Sequence, residues 1–226
     1  MSDNAGNEVR LQRLRSLLVP IDEHPAGRLI DLESSVAAMA ADPLPAPWGM
    51  VWAPPACQNY LEEAVPHLPR LNGWVRLSDR RSKSFSHDNF YIDMVIETPG
   101  GIDVGRIAEA ARRCSSGTLT LESKVVGTVT YTELAAPTLA EATTLTMQIQ
   151  VRFDAPADDA TAAIMARYGY VAPRGADGRP SAVNNIKQVS YVATGETLFM
   201  VLSPDPAVIE SMPTMLYRRA RDAGGN

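Results

Sequence analysis

From Gly73 onward the chain alternates apolar and polar residues with a period of two, and that period restricts the middle of the protein to β-strands. Trp74, Arg76 and Ser78 alternate with Val75, Leu77 and Asp79, and Phe90 to Glu97 reads as a second strand closed by Thr98-Pro99-Gly100-Gly101. Further strands are expected over 118–121, 125–134 and 143–153, where Thr, Val, Ile and Met alternate at lengths that suit an antiparallel meander. Lys187 to Ala193, the turn Thr194-Gly195 and Glu196 to Leu202 form a hairpin signal. The unbroken apolar run of its second arm predicts a central strand buried on both faces.

Helical periodicity brackets this middle. Residues 8–18 place Val9, Leu11, Leu14, Leu17 and Leu18 near helical spacing, with Arg10, Arg13 and Arg15 between them, and Pro20 stops the run. This amphipathic helix either packs on the domain or lies on a membrane surface with its arginines toward anionic headgroups. A second helix is expected over 29–41, with Leu29, Leu32, Val36 and Met39 on one face, and a short one over 57–65. Over 102–114, Val104, Ile107, Ala108 and Ala111 recur at i, i+3, i+4 and i+7. A short helix over 158–168 and a closing helix over 207–221, interrupted near Pro213, complete the set. Residues 43–55 carry Pro43, Pro45, Pro47, Pro54 and Pro55 beside Trp48 and Trp52, which predicts an irregular or extended connection. Residues 79–88 read as a polar hairpin loop and 170–185 as a mobile one. Helices early and late with strands between them argue for an α+β fold, a single domain around a mainly antiparallel sheet. The expected boundaries are an N-terminal amphipathic helix and linker over 1–22, the domain over 23–221 and a fraying tail over 222–226.

With 226 residues, 45% of them hydrophobic, the chain can bury a full core. Its 21 basic and 26 acidic residues are spread along the sequence, so it lacks the concentrated basic footprint of a nucleic-acid binder. No apolar run approaches the roughly 20 residues that span a bilayer. Met1 to Asn7 has neither the basic nor the apolar region of a secretory signal.

Catalytic signals are weak. His24, His67 and His87 have no partner at metal-ligand spacing and are expected at the surface, dispensable for function. There is no Gly-x-Ser-x-Gly elbow, and Gly100-Gly101 with Gly105 lacks both the dinucleotide fingerprint and the Lys-Ser/Thr of a P-loop. The carboxylate pairs Asp22-Glu23, Glu62-Glu63 and Asp158-Asp159 are adjacent, so their side chains diverge. The expectation is no catalytic residue, no metal and no cofactor. Trp48, Met50, Trp52 and Trp74, with Tyr170 and Arg174 of the 170–185 loop, form the candidate binding set; core packing is the competing role for the tryptophans.

Cys57 and Cys114, the only cysteines, belong to no Cys-x-x-Cys motif and have no histidine at zinc-site spacing. That leaves a disulfide or two free core thiols. A disulfide would close a loop of about 57 residues, worth roughly 4 kcal/mol, and would belong to an oxidising, extracytoplasmic compartment.

The order of a proline-preceded Cys57, Gly73-Trp74 opening a strand, the strand Tyr91 to Glu97, a helix ending in Arg113-Cys114, then strands and a closing hairpin and helix resembles the extracytoplasmic domains of mycobacterial and related actinobacterial envelope proteins. These include LpqN-type lipoproteins, the PknH-type kinase sensor domain and the trehalose monomycolate transport factor TtfA. The resemblance runs over about residues 25–220. It implies an α/β sandwich, a Cys57–Cys114 bridge, an extracytoplasmic place anchored to the plasma membrane through a segment outside this sequence, and no catalysis. The kinase sensor domain has two cysteine pairs where this chain has one, which favours an anchored accessory protein over a kinase-type sensor. The implied partner is an MmpL-type lipid exporter or a lipid, in mycolate-lipid export. The alternative is a hydrolase acting on envelope lipid or polysaccharide, which would need a triad or carboxylate pair assembled in a cleft.

Overall fold

The computed structural model describes residues 2–27, 30–41, 50–54, 57, 60–79, 90–167 and 172–224. Among the described residues nine strands form one antiparallel sheet in the order β1-β3-β4-β9-β8-β7-β6-β5-β2. In chain order they are β1 Ile30–Ser35, β2 Met50–Ala53, β3 Gly73–Asp79, β4 Phe90–Glu97, β5 Ser116–Leu121, β6 Lys124–Leu134, β7 Thr143–Phe153, β8 Val183–Thr194 and β9 Thr197–Ser203. The helices are α1 Ser2–Leu17, α2 Val36–Ala41, α3 Tyr60–Ala64, α4 Val104–Arg113, α5 Asp159–Arg167 and α6 Pro206–Gly224. The sheet is open, with β1 and β2 at its edges.

Alternation along the strands divides the interior into two cores. In β4, Met94 and Ile96 face one side and Tyr91 and Val95 the other; in β9, Leu198 and Met200 oppose Phe199 and Val201. The continuous apolar run of β9 is therefore buried on both faces, as its sequence predicts. The larger core lies under α3, α4 and α5, and α4 presents Val104, Ile107, Ala108 and Ala111 to it. Asp103 caps that helix, its carboxylate accepting from the Gly105 N–H at 2.8 Å. The smaller core lies under α1 and α6, which pack on β3, β4, β8 and β9. Beyond those strands the same face carries the exposed threonines Thr118, Thr128 and Thr132, with exposed Val51, Val125 and Ile186 nearby.

Two elements differ from the sequence expectation, and a third takes the extended form of the irregular or extended connection expected over 43–55. Residues 30–35 form a strand where a helix over 29–41 was expected, and only Val36–Ala41 is helical. Asp31, Ser34 and Ser35 are poor helix formers, and the strand gains a full register with β3 from Ile30↔Asp79 to Ser35↔Trp74. It also sets Glu33 opposite Arg76. Met50–Ala53, inside the proline-rich connection, is an edge strand on β5. Finally, α6 runs unbroken through Pro213 to Gly224. The proline costs one backbone hydrogen bond, about 1 kcal/mol, and a strained turn. Burial of Val208, Ile209, Met212, Leu216 and Tyr217 along the helix outweighs it, at roughly 1.5–3 kcal/mol for each large side chain.

The tightest glycine in the sheet is required by packing. At Gly127, where β6 pairs with β7 opposite Phe153, a Cβ would lie 2.0 Å from the Arg152 carbonyl oxygen. No other residue leaves room for that pairing.

Candidate functional site

The predicted binding residues do not converge. Trp48 and Tyr170 lie outside the described residues, and Met50 is described only as part of the β2 backbone. Trp52, on the edge strand β2, is half-buried against the larger core, with its ring 6.2 Å from that of Tyr131. Trp74 sits on β3, near the opposite edge of the sheet, and packs toward the smaller core. Its indole N–H donates to Glu33 Oε2 at 3.3 Å, and the Arg15 guanidinium lies 5.5 Å from its ring. Arg174 is exposed and turned into its own loop, donating to the Gly178 carbonyl at 2.7 Å beside the Arg174–Pro180 bridge.

Cys57 and Cys114 are joined, with Cα atoms 5.2 Å apart. The bridge ties the segment before α3 to the residue that closes α4, and both cysteines are buried. Arg113 at the end of α4 also pairs with Glu63 of α3. Three tyrosines pack nearby. The Tyr60 and Tyr191 hydroxyls share a hydrogen bond at 2.7 Å, Tyr131 donates to the Cys57 carbonyl at 3.3 Å, and the Tyr60 and Tyr131 rings meet edge-on at 5.2 Å. Burial pushes the Tyr60 phenol up to about 12, partly offset by its bond to Tyr191. Burial, and then the neighbouring Tyr60, hold Tyr131 and Tyr191 above the ordinary tyrosine value. The cluster is a neutral polar seam inside the larger core.

His24 corrects the expectation of a surface histidine. It follows a single 3-10 turn, Ile21–Glu23, in the strap between α1 and β1, and is 3% exposed. Its Nδ1 accepts from the Ala26 N–H at 3.2 Å, which leaves the ring proton on Nε2, 3.3 Å from Asp93 Oδ2. Asp93 and Arg76 are register partners, and Ser78 lies two residues along β3 on the same face. A serine, a histidine and an aspartate thus share one face of the sheet, as a hydrolase would require. Ser78 and Asp93 are 0% and 1% exposed, so no substrate reaches them. His67 is exposed, and His87 lies outside the described residues.

Beside this group, Arg76 is buried, and each of its three nitrogens has a partner. Its Nε donates to Glu33 Oε1 at 2.8 Å and its Nη1 to the Val19 carbonyl at 2.5 Å, while Nη2 lies 2.7 Å from Glu33 Oε1. Arg15 Nε donates to Glu33 Oε2 at 2.5 Å. Burial alone would raise the Glu33 carboxyl, but Arg76 and then Arg15 outweigh it and hold the group below its usual value. Sequence reasoning missed this network. Its signal was an arginine at an inward position of the apolar alternation in β3.

Among the described residues no set of three histidine, cysteine or carboxylate side chains is placed to hold a metal, and no helix is long and apolar enough to cross a membrane.

No family model and no curated protein sequence matches the chain. Among solved structures it is similar to an uncharacterized protein, the Rv0999 ortholog from Mycobacterium smegmatis, at 14% identity over 94% of this chain and 95% of that one, with a TM-score of 0.45. It is also similar to the extracellular domain of PknH from Mycobacterium tuberculosis, at 12% identity over 95% of this chain and 96% of that one, with a TM-score of 0.48.

Proposed function

We propose that this protein is a non-enzymatic accessory or sensor domain of the cell envelope, working outside the cytoplasm and binding a lipid or a membrane-protein partner. The observation that carries the location is the Cys57–Cys114 bridge. A structural disulfide closed between two buried cysteines persists in an oxidising compartment and is rare in a reducing one. The non-enzymatic reading is supported by the burial of Ser78, His24 and Asp93, a serine–histidine–aspartate grouping among the described residues that is sealed in the interior.

The partner class follows the sequence resemblance: an MmpL-type lipid exporter or its mycolate lipid, met by a chain tethered to the plasma membrane. The surface offered to it is the β2 edge, where Val51 is 52% exposed beside Trp52. The turn over 172–182 flanks this reading as a second contact.

The test is native-state alkylation together with intact mass. The protein recovered from cells should take up no alkylating reagent before reduction and weigh about 2 Da less than the dithiol form. Two thiols alkylated in the native, unreduced protein would remove the location. Affinity capture from membranes with wild type and Trp52→Ala then tests the surface, and retention of every partner by the variant moves the contact elsewhere.

A further inference from the structure

The carboxyl end of α1, the strap after it, β1, β3 and the last turns of α6 enclose an open cleft of about 320 Å³. Gln12, Arg15, Ser16, Glu33, Arg76 and Arg219 line it. Three guanidiniums face a single carboxylate there, in a protein whose net charge is −5. Both oxygens of that carboxylate are already taken, Oε1 by Arg76 and Oε2 by Arg15 and Trp74. The carbonyls that would repel an anion are taken as well, Ser16 O by Arg219 at 2.8 Å and Val19 O by Arg76.

Donors remain. Arg219 spends its Nη2 on the Ser16 carbonyl, and its buried Nε has no acceptor among the described residues, so its guanidinium is only partly satisfied. Arg15 spends only its Nε on Glu33. A buried donor of a charged group without an acceptor is costly, and guanidiniums on two different helices can supply the forked hydrogen bonds that oxyanions accept.

We propose that this cleft is an anion site for a tetrahedral oxyanion of the phosphate class, held by Arg15 and Arg219. Arg76 and Glu33 form its floor, where Arg76 spends a donor from each nitrogen on Glu33 and the Val19 carbonyl and offsets the Glu33 charge. The same chemistry is presented by a phospholipid headgroup and by a free phosphate or phosphorylated solute. The site deepens the binding reading above and does not depend on the disulfide. A chain with free thiols would lose its location and keep the cleft; an empty cleft would leave the location standing.

The experiment titrates the full chain with inorganic phosphate by calorimetry, and separately cosediments it with phosphatidylcholine vesicles with and without phosphatidylglycerol. The variants are Arg219→Gln, Arg219→Lys and Arg15→Gln, with Arg179→Gln as a control of equal charge change; Arg179 sits in an exposed loop. Arg15 is half-exposed, so Arg15→Gln should fold whatever Arg219 contributes to stability. Each glutamine variant should weaken binding about tenfold, the worth of one charge-assisted hydrogen bond, with Arg219→Lys intermediate and the control unchanged. Phosphate binding without vesicle binding identifies a soluble ligand, and the reverse identifies a headgroup; either supports the site. Failure of the wild type to bind in both arms overturns it. So does binding that survives both glutamine substitutions, or that falls equally in the control.

Discussion

Removing the disulfide gives the most direct measure of what holds this fold together. The perturbation is the double substitution Cys57→Ala, Cys114→Ala. The bridge spans a sequence separation of 57. In the chain-entropy model, a loop of that size removes about 14 cal/mol/K from the unfolded ensemble, or about 4 kcal/mol at 25 °C. Both sulfurs lie in the larger core, so the small void left behind adds to the loss. The Arg113–Glu63 ion pair that also joins α4 to α3 does not replace the bridge, because both side chains are about half-exposed and such pairs are worth at most about 1 kcal/mol. Natural domains hold roughly 5–15 kcal/mol in total, so the variant should fold but lie much closer to its threshold. The midpoint of thermal unfolding should fall by roughly 8–16 °C, at about 2–4 °C per kcal/mol for a chain of this size. In urea the slope should rise as well, because an uncrosslinked unfolded chain exposes more surface. A loss below about 1 kcal/mol, with an unchanged slope, would refute the claim that the bridge acts by constraining the unfolded chain.

Glu33→Gln leaves Arg76 buried without a counter-charge and should cost about 3 kcal/mol, read by urea unfolding. The Glu33 carboxyl is lowered below 4.5 in the folded protein, so its contribution is complete above that pH and is lost as pH falls below it; the gap between wild type and variant should close in acid. His24→Ala strands Asp93 and the Ala26 N–H in the interior and should cost about 3–5 kcal/mol, while exposed His67→Ala should change stability by less than about 1 kcal/mol; equal effects of the two would refute the buried pair. An alkaline absorbance titration should show that three of the seven tyrosines, Tyr60, Tyr131 and Tyr191, do not ionise in the ordinary range. Their folded values lie above the unfolded value of 10.0, so the stability they confer is present below that pH and drains away above it.

What the sequence determined by itself was whatever depends on near neighbours. The period of two marked β3, β4, β6 and β7; an unbroken apolar run marked β9; the 3.6 period marked α4; and the Thr194-Gly195 turn joined β8 to β9. Those signals are legible because side-chain direction along a strand or helix is set within a few residues. Only the tertiary structure decided the strand order, in which β2 is carried to the edge beyond β5 and β1 to the edge beyond β3. It made residues 30–35 a strand, because pairing with β3 and a carboxylate opposite Arg76 outweigh a helical spacing of apolar residues. It buried His24 against Asp93, which lie 69 positions apart, and brought Arg219 to the carbonyl of Ser16. No local rule reaches that far. The energy of a buried charge depends on which distant group shares its low-dielectric surroundings, and chain closure alone determines that neighbour.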